Sequence, residues 1–493
     1  MRILSQLCGA WRGLAPGLVV LGLLGLPTVA SAITPELQRG RSASFQAQRE
    51  RPVAPGEATV TLAGRLVYED HRTIGRHGLR VDLDGRRGRS SGGRTTDSQF
   101  YLGAFHMVVD VYEQDRVGRT GRACVPLEWV GAATVQRDGS FSVEVPAEDR
   151  CRRERGGDPQ YVLRAQTRYC RDELCFQIGR QRGRPYTLWF GLDDPLPTGA
   201  TGAAAPTLLF SPEQSGDRNP WSRAANHYAS LVDTVVSLHV EGGIPFRREE
   251  FGPVYVRFPS PWSDGRATAD DTIDANNRGW PKGSLLMHEY GHIVHRRAWG
   301  GDYAGFHDPI QRWSGKRRTK EVPFIALKEG WANFVTSYVT GRCFRARYDT
   351  PEALASVKRG VNGTRFPQNH HHALCDWVDD REDRRPGAPK GARDTANLTI
   401  LELWQLLDQT DALMGAFDGH DPVTEGLDVC DVVAAQGVAD EVLDGPTRAQ
   451  RMRDSWGVLQ TNAITCPALD AAVRALPPEV VPEAPAEVPA ESL

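Results

Sequence analysis

The sequence predicts a multidomain protein in which an all-β sandwich is followed by an α+β domain. Three observations support this fold class. At 493 residues, the chain is longer than a single hydrophobic core usually supports. Short segments that alternate apolar and polar residues fill the chain up to about residue 193. After about residue 219, apolar residues instead recur with the period of an α-helix.

The N-terminus predicts export. Arg2 and Arg12 precede the apolar run GLVVLGLLGLPTVA, which ends in an A-x-A site. This is the pattern of a Sec-type signal peptide over residues 1–32, cleaved after Ala32, and it indicates a secreted or periplasmic protein. A membrane anchor is the alternative, but the run is short and contains Pro27. We expect no integral membrane segment after signal removal.

The charge and the cysteines also restrict the function. A formal net charge of −3 gives no reason to expect a nucleic-acid partner. Cysteines that remain after signal removal are even in number, which favours disulfides in an exported chain. Pairing within the predicted domains gives Cys124–Cys151, Cys170–Cys175, Cys343–Cys375 and Cys430–Cys466.

Changes in composition divide the chain into segments. Residues 33–55 are polar and predict a linker or leader, and the Pro- and Glu-rich end at 476–493 predicts a disordered tail. Residues 56–195 carry the predicted β-sandwich. Within it, TVQRDGSFSVEVP resembles a hairpin of transthyretin-like or carboxypeptidase-regulatory-like sandwiches. A linker poor in bulky residues separates it from the second domain at 208–475.

In the second domain, the sequence predicts helices around one chemical motif. The stretch LLMHEYGHIV places His288 and His292 four residues apart, on the same face of a helix that Ser284 can cap. Two imidazoles at that spacing can together hold one Zn²⁺, each at about 2.0–2.1 Å from the ion. Glu289 can then take a proton from a water molecule on the metal. This is the H-E-x-x-H arrangement of zinc peptidases, although a helix with two unrelated histidines is the alternative.

A catalytic zinc site needs a third protein ligand. Position 298 is Ala, which excludes the pattern with a third histidine six residues after the second. The segment LKEGWANFVTSYV supplies Glu329 on a predicted helix at 325–341, whose apolar stripe can pack beside the first helix. We therefore expect Glu329 to complete the site.

HEYGH followed by EGWA resembles the gluzincin zinc metallopeptidases, and LELWQLLDQ at 401–409 resembles a later element of secreted bacterial members. The resemblance covers roughly 220–415. It implies a zincin-like metallopeptidase domain with His288, His292 and Glu329 as Zn²⁺ ligands and Glu289 as general base. It also implies a peptide or protein substrate, hydrolysed by a zinc-activated water. The thermolysin branch has Asp four residues after the ligand glutamate, whereas this chain has Asn333.

Two further parts of the site are left open. The donor that stabilises the oxyanion has as candidates Tyr338, Tyr348 and the run His370–His372. Substrate is expected to lie along an edge strand, for which DTIDANN at 271–277 is the natural segment.

Other functions fit the same residues. One alternative is a zinc hydrolase that cuts another amide or an ester. Another is a secreted binding or adhesion protein in which the sandwich acts and the metallopeptidase domain is inactive. A third is a latent enzyme in which residues 33–55 form a pro-segment. The sequence does not indicate an oligomeric state.

Overall fold

The fold was analysed in a computed structural model of the chain. It describes residues 37–40, 49–50, 52–70, 80–81, 100–114, 127–148, 159–192, 196, 198–199, 205–212, 220–261, 265–268, 270–276, 283–301, 323–343, 367–378, 398–412, 429–436, 445–462 and 464–476. The predicted signal peptide and most of the predicted tail lie outside these ranges, as do Cys124, Cys151 and Tyr348.

Strands come first along the chain, as the alternating pattern predicts. They are β1 (Leu37–Gly40), β2 (Arg49–Glu50), β3 (Thr59–Asp70), β4 (Arg80–Val81), β5 (Phe100–Gly103), β6 (Val108–Glu113), β7 (Glu128–Thr134), β8 (Ser140–Pro146), β9 (Tyr161–Gln166), β10 (Arg168–Arg171), β11 (Leu174–Gln181), β12 (Arg184–Pro185), β13 (Thr187–Phe190) and β14 (Thr207–Pro212). After the first helix follow β15 (Val254–Ser260), β16 (Arg266–Ala267) and β17 (Thr272–Asn276).

Two of the sheets are built from the early strands. One has the order β1-β14-β3-β5-β4, with β8 also paired to β3, and the other has the order β13-β9-β6-β7-β2. Alternate side chains of both sheets, such as Leu66, Val109 and Leu163, are buried in one common apolar cluster. Burial of these apolar side chains is the main favourable contribution to the stability of the two sheets.

The third sheet joins the two halves of the sequence. Its order is β10-β11-β15-β17-β16, and β11 pairs in parallel with β15 so that Phe176 lies opposite Val254. Strands on either side of the predicted linker therefore share one sheet. The division into domains at residues 195 and 208 stays a prediction.

Helices dominate the later part of the chain, which confirms the predicted change from strand to helix. They are α1 (Pro220–Val235), which continues as a π-helix over Val236–Glu241, α2 (Arg248–Phe251), α3 (Gly283–Ala298), α4 (Pro323–Val339), α5 (Pro367–Val378), α6 (Ile400–Ala412), α7 (Val429–Gln436), α8 (Gly445–Thr461) and α9 (Pro467–Ala475). Because α3 begins at Gly283, Ser284 lies in its first turn and is not the predicted N-cap.

Three of the four predicted cysteine pairs lie at disulfide distance. The Cα atoms are 4.1 Å apart in Cys170–Cys175, 5.1 Å apart in Cys343–Cys375 and 5.8 Å apart in Cys430–Cys466. The first pair closes the β10–β11 hairpin, in which the two cysteines are cross-strand partners.

Contacts between Cα atoms group residues Pro35–Leu493 into one unit and Met1–Thr34 into another, and every described residue belongs to the larger unit. Within the described residues, the structure contains no helix with the length and apolar character required to cross a bilayer.

Candidate metal centre

Helix α3 presents two imidazoles side by side. His288 and His292 are one helical turn apart, with their ring centroids separated by 4.7 Å and their planes nearly perpendicular. The two Nε2 atoms face each other at 3.2 Å. This contact follows from the four-residue spacing, which stacks side chains on one face of a helix.

A glycine lets the second helix approach. A methyl group on Gly291 would lie 2.9 Å from the Cα atom of Ala332 and 3.2 Å from the Cβ atom of Val335. These distances are too short for any residue with a Cβ atom, so α3 and α4 meet almost backbone to backbone. The small residues of HEYGH and EGWA thus have a packing role beside the chemical motif.

This close approach brings Glu329 to the imidazole pair. Its carboxylate oxygens lie 3.3 Å from Nε2 of His288 and 3.6 Å from Nε2 of His292. A tetrahedral centre with ligand bonds of about 2.0–2.1 Å separates its ligand atoms by about 3.3–3.4 Å. The separation of 3.2 Å between the two Nε2 atoms and of 3.3 Å between His288 and Oε2 of Glu329 is close to that spacing, while His292 lies 3.6 Å from the other oxygen, Oε1. The three residues could therefore hold a metal ion.

The protonation states suit a cation. Burial lowers the pKa of His292 well below its usual range, so its ring is neutral near pH 7. Burial opposes ionisation of Glu329, but the interaction with His292 and the hydrogen bond with His288 outweigh it and lower the pKa of this carboxyl. A neutral imidazole and a carboxylate are the forms that bind metal ions, and their converging lone pairs favour a positive charge between them.

Glu289 lies beside this group and is held by a strand. The residue is 6% exposed, and its Oε2 accepts a hydrogen bond of 2.7 Å from the backbone N–H of Ala267 in β16. Burial raises the pKa of Glu289, while His288 and the Ala267 N–H act in the opposite direction. A carboxylate with a raised pKa is a better proton acceptor near neutral pH.

The strand expected to receive substrate is not at the sheet edge. Asp274 and Ile273 of β17 pair with β16 on one side, and β15 pairs with β17 on the other. Ile273 and Asp274 are therefore enclosed between β15 and β16, and β16 occupies the edge next to Glu289. Residue 277 of the expected segment lies outside the described residues. Sequence reasoning missed Ala267 because its contribution is a backbone group, which carries no residue-type signal.

Other side chains fix α3 in place. His239 accepts a hydrogen bond of 2.7 Å from the Tyr290 hydroxyl at Nε2, and its Nδ1 donates to the carbonyl oxygen of Ile244 at 2.6 Å. Since a carbonyl only accepts, the proton of the neutral ring lies on Nδ1. Burial lowers the pKa of His239 to about 4 and keeps the ring in this form.

The LELWQLLDQ segment has a structural role. Asp408 receives two hydrogen bonds from Arg247, at 2.7 and 2.9 Å, and Arg247 also donates to the carbonyl oxygen of Arg297 at the end of α3. The Trp299 indole donates to the carbonyl oxygen of Leu407. Helix α6 therefore supports the C-terminal end of the motif helix.

Three of the predicted oxyanion donors that the structure describes, Tyr338, His371 and His372, are remote from Glu329 along the helix or already bonded. Tyr338 lies nine residues after Glu329 on α4, which is about 13 Å along the helix axis. His371 bonds Ser337 at 2.8 Å, and His372 bonds Gln368 within its own helix at 2.7 Å. Asn333 donates its amide to the carbonyl oxygen of Glu329.

Comparisons with known proteins identified no relative of this chain. No protein-family model matches the chain, and no curated protein or solved structure matches it either. The geometry of the site is therefore the basis for every functional inference.

Proposed function

We propose that the protein is an exported zinc-dependent metallopeptidase of the gluzincin type. The observation that carries the proposal is the convergence of His288, His292 and Glu329 at the spacing of a tetrahedral centre, with the buried Glu289 beside it. Three protein ligands leave one position open for a reacting molecule, as in catalytic zinc sites.

Each residue has a distinct role in this proposal. A bound Zn²⁺ would polarise the scissile carbonyl and lower the pKa of a water molecule. Glu289 accepts the proton of the attacking water and delivers it to the leaving amine. Ala267 keeps one carboxylate oxygen in place through its N–H.

The edge strand β16 supports an extended substrate. The N–H of Thr268 points inward to the carbonyl oxygen of Thr272 at 2.8 Å. The N–H and C=O groups of Ala267 therefore point away from β17, because backbone groups alternate along an antiparallel strand. The N–H donates to Glu289, so it is the C=O that faces a peptide at this edge. A peptide that adds to this edge would pass directly beside Glu289.

Export and the role of the sandwich belong to the same proposal. The three cysteine pairs at disulfide distance suit an oxidising compartment, and the signal peptide would be cleaved after Ala32. The two early sheets, with their shared apolar cluster, are proposed to be the β-sandwich.

Metal analysis and proteolysis assays with matched variants test the function. We expect about one zinc per chain and hydrolysis of casein and peptide substrates. Glu289→Gln should retain zinc but lose about 10²–10⁴-fold in kcat, since it removes the proton acceptor. Glu250→Gln, in the surface helix α2, serves as the control and should match the wild type.

Two other outcomes would support the alternatives. Stoichiometric zinc with cleavage of esters but not peptides would indicate a different zinc hydrolase. Stoichiometric zinc without hydrolysis of casein, peptides or esters would instead favour the binding protein. Absence of bound metal after loading with Zn²⁺ would contradict the proposed zinc site itself.

A further inference from the structure

The turn between β16 and β17 is attached to the motif helix by Arg296. This residue lies on α3 one turn beyond His292 and is 5% exposed. Its Nη1 donates to the carbonyl oxygen of Thr268 at 3.0 Å, and its Nη2 forms an ion pair with the Asp271 carboxylate. One buried guanidinium therefore contacts both ends of the turn.

The turn depends on these contacts for its shape. Asp271 adopts a φ of 55°, a left-handed conformation that is unfavourable for a residue with a Cβ atom. Its carboxylate also accepts hydrogen bonds from Arg297, at 2.7 and 3.0 Å. Its own carbonyl oxygen accepts from the N–H of Tyr255. The side chains from α3 thus compensate for a strained backbone.

The position of the turn sets the direction in which the backbone N–H of Ala267 points. Thr268, which Arg296 holds by its carbonyl oxygen, directly follows Ala267. The N–H of Ala267 is the group that donates to Oε2 of Glu289. Helix α3 therefore carries both Glu289 and the arginine that fixes the strand to which Glu289 is bonded.

We propose that Arg296 is a positioning residue that acts on Glu289 through the Thr268 carbonyl and the Ala267 N–H. Its effect on turnover rests on the proposed hydrolytic function. Arg296 does not reach the metal ligands in this role. Its loss leaves the ion without change and lets the Glu289 carboxylate rotate away from the productive orientation.

Kinetics of Arg296→Gln give the first test. Because Arg297 still neutralises Asp271, the variant leaves no unpaired buried charge. We expect kcat to fall about 10- to 100-fold, as for a misplaced catalytic group, with zinc content and KM close to those of the wild type. Arg247→Gln is the control and should preserve kcat. It breaks the Asp408 pair and the bond to the Arg297 carbonyl oxygen at the same end of α3, but it leaves the contacts of Arg296 with Thr268 and Asp271 in place.

A second variant removes the same contact from the strand. Ala267→Pro deletes the N–H donor at an edge position, where proline is tolerated. It should lower kcat as Arg296→Gln does, and the double variant should lose no more than either single variant, because both act through one contact. Additive losses, or an unchanged kcat in Arg296→Gln, would overturn the proposal.

Hydrogen exchange tests the same link without activity. Amide exchange measured by mass spectrometry over 265–276 should be faster in Arg296→Gln than in the wild type, whereas Arg247→Gln should leave it unchanged. Equal exchange in the two variants contradicts the positioning role. If the wild type binds zinc but hydrolyses nothing, the proposed function fails, and the exchange data alone still decide whether Arg296 holds the strand.

Discussion

Helices α3 and α5 both pack against α4, and both carry buried histidines, but only those of α3 form a candidate metal centre. On α3, two Nε2 atoms lie 3.2 Å apart and face one carboxylate. On α5, His371 bonds Ser337 and His372 bonds Gln368. His371 and His372 thus each bond a neighbouring side chain, and among the described residues the α5 histidines do not belong to a group that could hold a metal ion.

The difference follows from spacing. Residues four apart lie above one another on a helix, whereas consecutive residues project about 100° apart. His370, His371 and His372 therefore do not share one helix face. The rings of His371 and His372 stack at 5.3 Å, but each of them bonds a different side chain and they do not converge on a carboxylate. A cluster in the sequence is thus weaker evidence for a metal site than two histidines one turn apart opposite an acid.

The largest expected effect is a difference in zinc affinity between a variant of α3 and a variant of α5. His292→Ala removes one of three ligands and should weaken zinc binding by more than about 100-fold, beyond the range seen when only a supporting residue is lost. His371→Ala should bind zinc as the wild type does. Competition with a chromogenic chelator measures both. Equal affinities in the two variants would remove the distinction between the helices.

A smaller effect is expected from the contact that brings α4 to α3. Gly291→Ala places a methyl group 2.9 Å from the Cα atom of Ala332, so the helices must separate. Overpacking of this kind costs about 1–3 kcal/mol. We expect a lower Tm and weaker zinc binding, because Glu329 moves with α4. An unchanged Tm measured by calorimetry would contradict the backbone-to-backbone approach.

The last effect appears only as the pH falls, and it concerns histidines that are buried without a metal role. Burial lowers the pKa of His227 to about 3 and that of His239 to about 4. The unfolded chain binds protons below a pH of about 6.5, while the folded chain stays neutral at these rings. The free energy of unfolding should therefore fall as pH decreases from about 6.5 towards 4, by up to about 1.4 kcal/mol per pH unit for each histidine.

Urea unfolding of the metal-free protein across this pH range measures the slope. His227→Leu removes one of the groups that take up a proton on unfolding, so the free energy of unfolding should depend less steeply on pH. The ring of His227 packs against Phe258, where a leucine side chain can replace it. A slope that is unchanged in this variant would show that His227 is not the group responsible.

Much of the site could be predicted because its signals are local. The four-residue spacing of His288 and His292 and the apolar stripe around Glu329 are properties of short segments, and the structure brings these three residues together. Helix limits were predicted to within a few residues for the segment at 325–341, which appears as Pro323–Val339. Three cysteine pairs also followed from proximity along the chain.

The parts that failed depend on contacts between distant segments. The identity of the edge strand was wrong because strand order is set by pairing, and the two residues of β16 give no periodic signal. Strands β11 and β15 pair in one sheet, although the predicted linker separates them along the chain. Ala267 and Arg296 have roles that arise only where β16 meets α3.

By itself, the sequence determined which residues can supply imidazole and carboxylate groups and on which helix face they lie, because helical geometry relates side chains a few residues apart. Only the tertiary structure decided which carboxylate meets the imidazoles, which strand forms the edge and which backbone N–H holds Glu289. Those contacts depend on the packing of segments far apart in the chain, which no local pattern encodes.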